Sequence, residues 1–253
     1  MQGKYSQVTI KPTISHLFNA ASGGVDVLFD WQAIEIPNGA CVIKSISGTI
    51  MGLNGSTGNR VDMRLYYAKS IDGVAPATFG TVHATHTAAI TQPFRRNIIG
   101  HSYIDSSTVD DGESLAGYNV WGARGEENLE HVNMVLTADS VPYPETTPGY
   151  QTIFVAAKAN GAAFDFGTDV DLDMAGHQAA STAAVQITTS GTDPRNVFQP
   201  GDLIQGETGT VTAEVVSVDS ATTMTVKDVS AQIDDNEQLI LQNPIVIHLG
   251  LEY

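Results

Sequence analysis

Apolar and polar residues alternate along several short segments of the chain. In the first of these segments the apolar positions lie two apart: Val25, Val27, Phe29 and Trp31. The same spacing recurs in a middle and a final segment: Val61, Met63, Leu65 and Tyr67, then Ile245, Ile247, Leu249 and Leu251. A period of two places one row of side chains on a core and the other in solvent, as in a half-buried β-strand. The pattern predicts an all-β protein.

Residues typical of tight turns separate these segments. They are Pro37-Asn38-Gly39, Asn54-Gly55, Asp72-Gly73 and Asn160-Gly161. Such pairs favour the backbone conformations of hairpin loops. Helical patterns are scarce. Residues 126–132 fit the start of a short helix, but Val132, Met134 and Leu136 also alternate as in a strand, and both alternatives stay open.

A dense group of strand signals fills residues 183–242. Five short apolar stretches lie there, at 185–187, 203–204, 211–218, 224–226 and 239–241, and residues 219–223 suit a hairpin connection. Five short strands in such a length are typical of a small SH3-like β-barrel.

The final segment, residues 243–253, is too regular to be a loose tail. We therefore expect it to return to the first domain as one of its strands. The predicted architecture is a jelly-roll-like β-sandwich made of residues 25–182 and 243–253. The small barrel at 183–242 is then an insertion between two strands of the sandwich.

Residues 1–24 have the composition of an extended amino-terminal arm. Val8 and Ile10 alternate around Thr9, so this piece can add as a strand to the sheet edge of a neighbouring chain. Leu17 and Phe18 can then anchor in an apolar pocket. These four residues are the candidate interface. The alternative is that the segment packs as an ordinary first strand of its own domain.

The charge of the chain excludes several partners. It carries 28 acidic against 12 basic residues, a net charge of -16. Such a surface repels nucleic-acid phosphates and anionic lipid head groups, so we expect neither partner. The first residues do not read as a signal peptide, and no apolar run reaches the roughly 18 residues of a membrane helix. We expect folding in a cytoplasm.

Two clusters resemble metal sites and fail on closer inspection. The aspartates Asp165, Asp169, Asp171 and Asp173 begin like an EF-hand loop. However, Met174 stands at the sixth loop position, which needs Gly, and Ala180 at the twelfth, which needs Glu. A solvated strand face is the favoured interpretation.

His83 and His86, with His101 or His131, have the residue types of a zinc site but no diagnostic spacing. The favoured interpretation of these histidines is that they lie in loops without a ligand. We predict no metal and no cofactor.

Catalytic patterns are missing from the sequence. It holds no Gly-x-Ser-x-Gly elbow and no phosphate-binding loop, and its single cysteine, Cys41, fits a packed strand position. Acidic residues suitable for a glycosidase pair are too numerous to be informative: Asp110, Asp111, Glu113, Glu126 and Glu127. Nearby Tyr118 and Trp121 have rings that stack on sugars but equally serve cores and interfaces. We predict that the protein is not an enzyme.

Three stretches resemble virion structural proteins of tailed bacteriophages, of the kind encoded by marine phages and cyanophages. They are residues 28–40, residues 65–76 and the barrel segment at 200–226. The resemblance implies a capsid decoration or cement protein on the outside of the major capsid lattice. It further implies a symmetric homo-oligomer, with a trimer favoured, that is assembled in the host cytoplasm and located in the virion.

Two other functions stay open at this point. A tail, collar or baseplate component would belong to the same particle but would be present in far fewer copies than a decoration protein. A carbohydrate-binding module that recognises host surface glycans is a different class of protein.

Overall fold

The protein is all-β. The computed structural model describes residues 4–19, 24–37, 39–51, 62–86, 95–104, 112–115, 118–122, 133–144, 146–160, 166 and 172–253. Short 3-10 turns are formed by His16–Asn19 and Pro194–Asn196. The strands of the described part are β1 (Tyr5–Ile10), β2 (Val27–Pro37), β3 (Ala40–Met51), β4 (Met63–Lys69), β5 (Ile98–Ile104), β6 (Gly112–Leu115), β7 (Tyr118–Gly122), β8 (Val135–Thr137), β9 (Tyr150–Ala159), β10 (Leu172–Met174), β11 (Val185–Gly191), β12 (Leu203–Gly206), β13 (Thr212–Val218), β14 (Thr223–Lys227), β15 (Leu239–Leu241) and β16 (Ile245–Glu252).

Two sheets share one hydrophobic core, and together they form the two-sheet unit. The first sheet has the order β1-β16-β3-β7-β6, with β8 also paired to β3, and the second has the order β2-β9-β4-β5. Their pairs are antiparallel. Side chains from both sheets, such as Ile43, Leu65 and Leu249, belong to the same buried cluster.

The predicted alternation is confirmed in β4 and β16. Met63, Leu65 and Tyr67 of β4 are fully buried, while Arg64 and Tyr66 on the opposite face are half-buried. All four apolar residues predicted for the last segment are fully buried in β16. The Asp72-Gly73 turn is confirmed too: both residues have positive φ, and Ile71 and Val74 pair across them. The Asn54-Gly55 turn and the segment 126–132 lie outside the described residues.

The alternation predicted for residues 25–31 is wrong. Val25 is exposed, and the consecutive residues Val27, Leu28 and Phe29 are all buried. The cause is a break in the pairing of β2 with β9, whose register shifts between Val27 and Phe29 and again before Gln32. Such a bulge breaks the period of two. Val27 packs in a small cluster with Phe79 and Ala156, whereas Leu28 and Phe29 both belong to the core that the two sheets share.

The remaining strands form a nearly closed six-stranded barrel of order β10-β11-β14-β13-β12-β15. An isolated bridge between Asp173 and Gln238 brings β10 and β15 together at the open seam. All five stretches predicted for this region form strands, β11 to β15, and residues 219–222 of the predicted hairpin connection join β13 to β14, which begins at Thr223. Its buried cluster is separate from that of the two-sheet unit.

The boundary between the two parts differs from the prediction. Strand β10, assigned to the sandwich by the predicted limit at residue 182, pairs with β11 of the barrel. Leu172 and Met174 are buried in the barrel core, with the less buried Asp173 between them. This agrees with a strand face for Asp173, whereas Asp165, Asp169 and Asp171 lie outside the described residues. The chain leaves the two-sheet unit after β9, forms the barrel, and returns as β16.

The amino-terminal segment differs from the predicted free arm. Strand β1 pairs with β16 of the same chain from Tyr5 to Ile10. Ile10 and Ile14 are buried in the core of the two-sheet unit. Residues 4–19 therefore follow the alternative, an ordinary first strand, because their apolar side chains find partners within their own chain. Residues 1–3 and 20–23 lie outside the described part.

The described part of the chain holds no helix long and apolar enough to cross a membrane.

The placement of residues 4–19 predicts unequal effects of two truncations. We expect Ile14→Ala to lower the free energy of unfolding by about 3 kcal/mol, because Ile14 is 1% exposed and its removal leaves a cavity. The control is Leu17→Ala, at a side chain that is 48% exposed, with an expected loss below about 0.5 kcal/mol. Urea denaturation of the isolated protein measures both. Equal, negligible losses of unfolding free energy for the two variants would contradict this placement and support the free arm instead.

Candidate binding surface

The outer face of the second sheet carries an aromatic cluster beneath residues 77–86. Asp30 organises it, since its carboxylate accepts hydrogen bonds from the Phe79 amide and the Thr78 hydroxyl, both at 2.7 Å. The Trp31 indole donates to the carbonyl of Ala77 at 2.8 Å. These bonds fold the segment back over β2 and place Phe79 against the sheet.

Phe79 lies at the centre of the cluster and is 1% exposed. Its ring centroid is 5.2 Å from that of Trp31 in an edge-on arrangement, 5.0 Å from that of Tyr66 and 4.5 Å from that of His86. Tyr66 in turn lies 5.9 Å from the exposed His101 on the neighbouring strand β5. Contacts of this kind add to the burial of each ring and fix its orientation.

Two cations adjoin the aromatic cluster. Arg64 of β4 is the direct cross-strand partner of Lys158 of β9 and also of Tyr103 of β5. The Arg64 guanidinium carbon lies 5.5 Å from the centre of the Tyr103 ring, and its Nε donates to Asn160 Oδ1 at 3.1 Å. Cations opposite each other on adjacent strands repel, so this arrangement is unfavourable by itself.

The local environment moves several pKa values. Burial and the nearby charge of Arg64 lower the pKa of Lys158. Burial and Lys158 lower the pKa of His86. Burial raises the pKa of Tyr66, and the charge of Arg64 and its hydrogen bond to Tyr66 partly offset this effect. Each of these three groups is therefore partly shielded from solvent, as ionisable groups are in sites that exclude water.

The residues predicted as an interface do not come together at this surface. Val8 is half-buried on β1, and Ile10 lies in the core. Leu17 is exposed in the 3-10 turn His16–Asn19, which also contains Phe18. The side chain of Phe18 lies outside the described part. The role of these four residues at an interface stays a prediction.

The histidines and the single cysteine have defined places. Among the described residues, no group of three or more His, Cys, Asp or Glu side chains is arranged to hold a metal ion. His83 and His86 lie in the segment over the aromatic cluster, while His131 is outside the described part. Cys41 is buried in β3, and burial raises the pKa of its thiol to about 11.

The candidate carboxylates and sugar-stacking rings cannot be placed in a site. Asp110, Asp111, Glu126 and Glu127 lie outside the described residues. Glu113 is in β6, and Tyr118 and Trp121 are in β7, where only the backbone is described. The glycosidase and sugar-stacking hypotheses for these residues stay untested.

The pair Arg64 and Lys158 was missed by the sequence interpretation. No motif or spacing in the sequence singles out Arg64 or Lys158. The alternation of β4 shows which face Arg64 occupies, but its register against β9, 94 positions later in the chain (158 − 64), is a non-local property.

Comparisons with known proteins assign no family. No protein-family model and no curated protein matches the chain. One solved structure, "Crystal Structure of the STIV MCP", is aligned over 99% of this chain and 96% of its own length, at 12% identity and a TM-score of 0.16. A TM-score this low carries no argument about fold or function.

The opposed cations predict an unusual stability effect. We expect Lys158→Gln to raise the free energy of unfolding by about 0.5 kcal/mol at low salt, because it removes a repulsion and breaks no ion pair. The gain should shrink in high salt as the repulsion is screened. The control is Lys227→Gln, which breaks the 3.0 Å pair with Glu214 and should give no gain. A loss above about 1 kcal/mol for Lys158→Gln would assign this lysine a structural role instead.

Proposed function

We propose that the protein is a structural component of a tailed-phage virion, a capsid decoration protein on the outside of the major capsid lattice. The strand order of the two-sheet unit carries the proposal. The eight principal strands, in chain order, are β1, β2, β3, β4, β5, β7, β9 and β16. If these strands are numbered from one to eight along the chain, strands 1, 8, 3 and 6 lie side by side in that order in the first sheet. Strands 2, 7, 4 and 5 lie side by side in that order in the second sheet. We identify this order with a jelly roll, an architecture of viral capsid and lectin domains.

The sequence resemblance supports the same proposal. Residues 28–40 cover most of β2 and its turn into β3, and residues 65–76 cover most of β4 and the turn after it. Residues 200–226 lie in the barrel, which we propose to be an SH3-like module inserted between the seventh and eighth principal strands. The resemblance therefore involves both parts of the protein. A fold alone does not define a function, so the resemblance and the strand order are needed together.

The proposed partner is the major capsid protein. Binding to a symmetric lattice suits a symmetric homo-oligomer, and a trimer is the favoured form. The acidic surface then meets protein rather than nucleic acid, because a net charge of -16 opposes contact with phosphate backbones. The protein would assemble in the host cytoplasm, and the proposal assigns it no enzymatic activity.

Copy number in purified particles tests this proposal. A decoration protein covers a repeated lattice, so quantitative mass spectrometry should find on the order of hundreds of copies per particle. A particle reconstruction should then show the protein on the outer capsid surface. A count of about a dozen or fewer would instead assign it to the tail, collar or baseplate. Absence from particles would contradict a virion role.

Glycan recognition is the second candidate function. The half-buried Tyr66, the exposed His101 and the neighbouring Arg64 and Lys158 support it, since sugar-binding surfaces combine aromatic rings with polar groups. Saturable binding of the isolated protein to one class of glycan on an array would favour this function. No binding to any glycan would remove it.

A further inference from the structure

The pairing of Arg64 with Lys158 is unexpected in so acidic a chain. Two lysines of the described part, Lys44 and Lys227, each pair with a glutamate across the strands at 3.0 Å, with Glu252 and Glu214 respectively. Within the described residues, neither Arg64 nor Lys158 forms an ion pair. Each instead has the other as its cross-strand partner. Two like charges opposite each other destabilise a sheet, so packing alone does not account for this pair.

The guanidinium of Arg64 is held in a fixed position. Its Nε donates to Asn160, and its central carbon lies over the Tyr103 ring, 5.5 Å from the ring centre. Tyr103 is itself fixed by a 2.6 Å hydrogen bond from its hydroxyl to Asp62. Arg64 has further donors on its two terminal nitrogens, and its planar fork matches the oxygens of carboxylate, sulfate and phosphate groups.

Lys158 and His86 belong to the same surface as Arg64. Among the described residues, the Lys158 ammonium has no hydrogen-bond acceptor, although burial and Arg64 already disfavour its charge. Within the described part of the chain, the buried Nε2 atom of His86 has no hydrogen-bond partner. Buried polar atoms without partners are uncommon in proteins.

We propose that Arg64 and Lys158, with His86 at the edge, form a binding site for a small oxyanion: a carboxylate, sulfate or phosphate group. The anion would accept hydrogen bonds from the Arg64 terminal nitrogens and the Lys158 ammonium, and its charge would relieve the repulsion between them. Charge-assisted bonds of this kind are the strongest hydrogen bonds available to a protein surface. The same group can come as a free inorganic anion or attached to an acidic sugar.

The surroundings favour a small ligand. Arg64 and Lys158 are half-buried, and Phe79, Tyr66 and His86 form a packed aromatic wall beside them. Long polyanions such as nucleic acids are repelled by the net charge of the rest of the chain. A small anion meets mainly the local charges, which are the cations Arg64 and Lys158 and the Asp62 carboxylate that holds Tyr103. The site is independent of the virion role, because it belongs to the isolated chain.

NMR titration of the full-length protein in low-salt buffer tests the site. The probes are sodium sulfate, sodium phosphate and glucuronate, with glucose as the neutral control and a hexaglutamate peptide as the protein-like control. We expect saturable shifts for at least one of the three anions, centred on β4 and β9, and none for glucose. Tighter binding of glucuronate than of both inorganic anions would identify the sugar as the source. The reverse order would identify the free anion.

Matched variants assign the binding to these residues. Lys158→Gln should weaken the binding by about tenfold or more, the usual effect of losing one bond to a charged group. Lys227→Gln changes the net charge equally on the barrel and should leave binding unchanged. The pKa of Lys158, lowered in the free protein, should rise when the anion binds, and NMR of labelled lysine side chains measures it.

Four results would overturn the proposal. They are no saturable binding of any of the three anions, equal weakening by the two lysine variants, binding of glucose as tight as that of glucuronate, and tighter binding of hexaglutamate than of each small anion. The last would assign the surface to an acidic protein partner. Lys158→Gln is the decisive variant because Lys158 has no ion pair to lose, so a folding defect is not expected to obscure the result.

Discussion

The insertion of β16 between β1 and β3 is the constraint on which the rest of the structure depends. The last strand of the chain is an inner strand of the first sheet, paired on both sides over nearly its whole length. Its four inward side chains are fully buried in the core that both sheets share. Without β16, β1 would have no partner in its sheet, and the sheet would end at β3. The two-sheet unit therefore cannot form until the chain has been made at least as far as β16.

The pairing of β16 also anchors the barrel to the two-sheet unit, because both ends of the barrel segment lead into strands of that unit. A second connection holds it through the amino-terminal segment. Ile14 donates its amide to Gln242 and accepts from the buried Gln205 side chain, both at 2.9 Å. Asn243 donates to the carbonyl of Pro12 at 3.0 Å. Gly209, which has a positive φ, lies so close to the His16 ring that a Cβ atom would have no room there.

Local pattern was sufficient to predict several elements. Strand β16 alternates throughout, and β4 alternates from Met63 to Tyr67, because one face of each packs on the shared core. The strands β11 to β15 are short apolar runs bounded by turns. The bulge in β2 could not be predicted, because it depends on the hydrogen bonds that Asp30 accepts from Thr78 and Phe79, which are distant in the sequence. The pairing of β1 with β16 and the position of Arg64 opposite Lys158 depend on strand register, which no short stretch of sequence encodes.

Native-state hydrogen exchange at β16 tests the central role of this strand most directly. If the two-sheet unit is built around it, the amides of Ile247 and Leu249 exchange only when the whole unit unfolds. Their exchange free energies should then lie within about 1 kcal/mol of the global unfolding value. Protection of β3 and β9 that persists while β16 exchanges several kcal/mol more easily, on the order of a fraying terminus, would contradict the account.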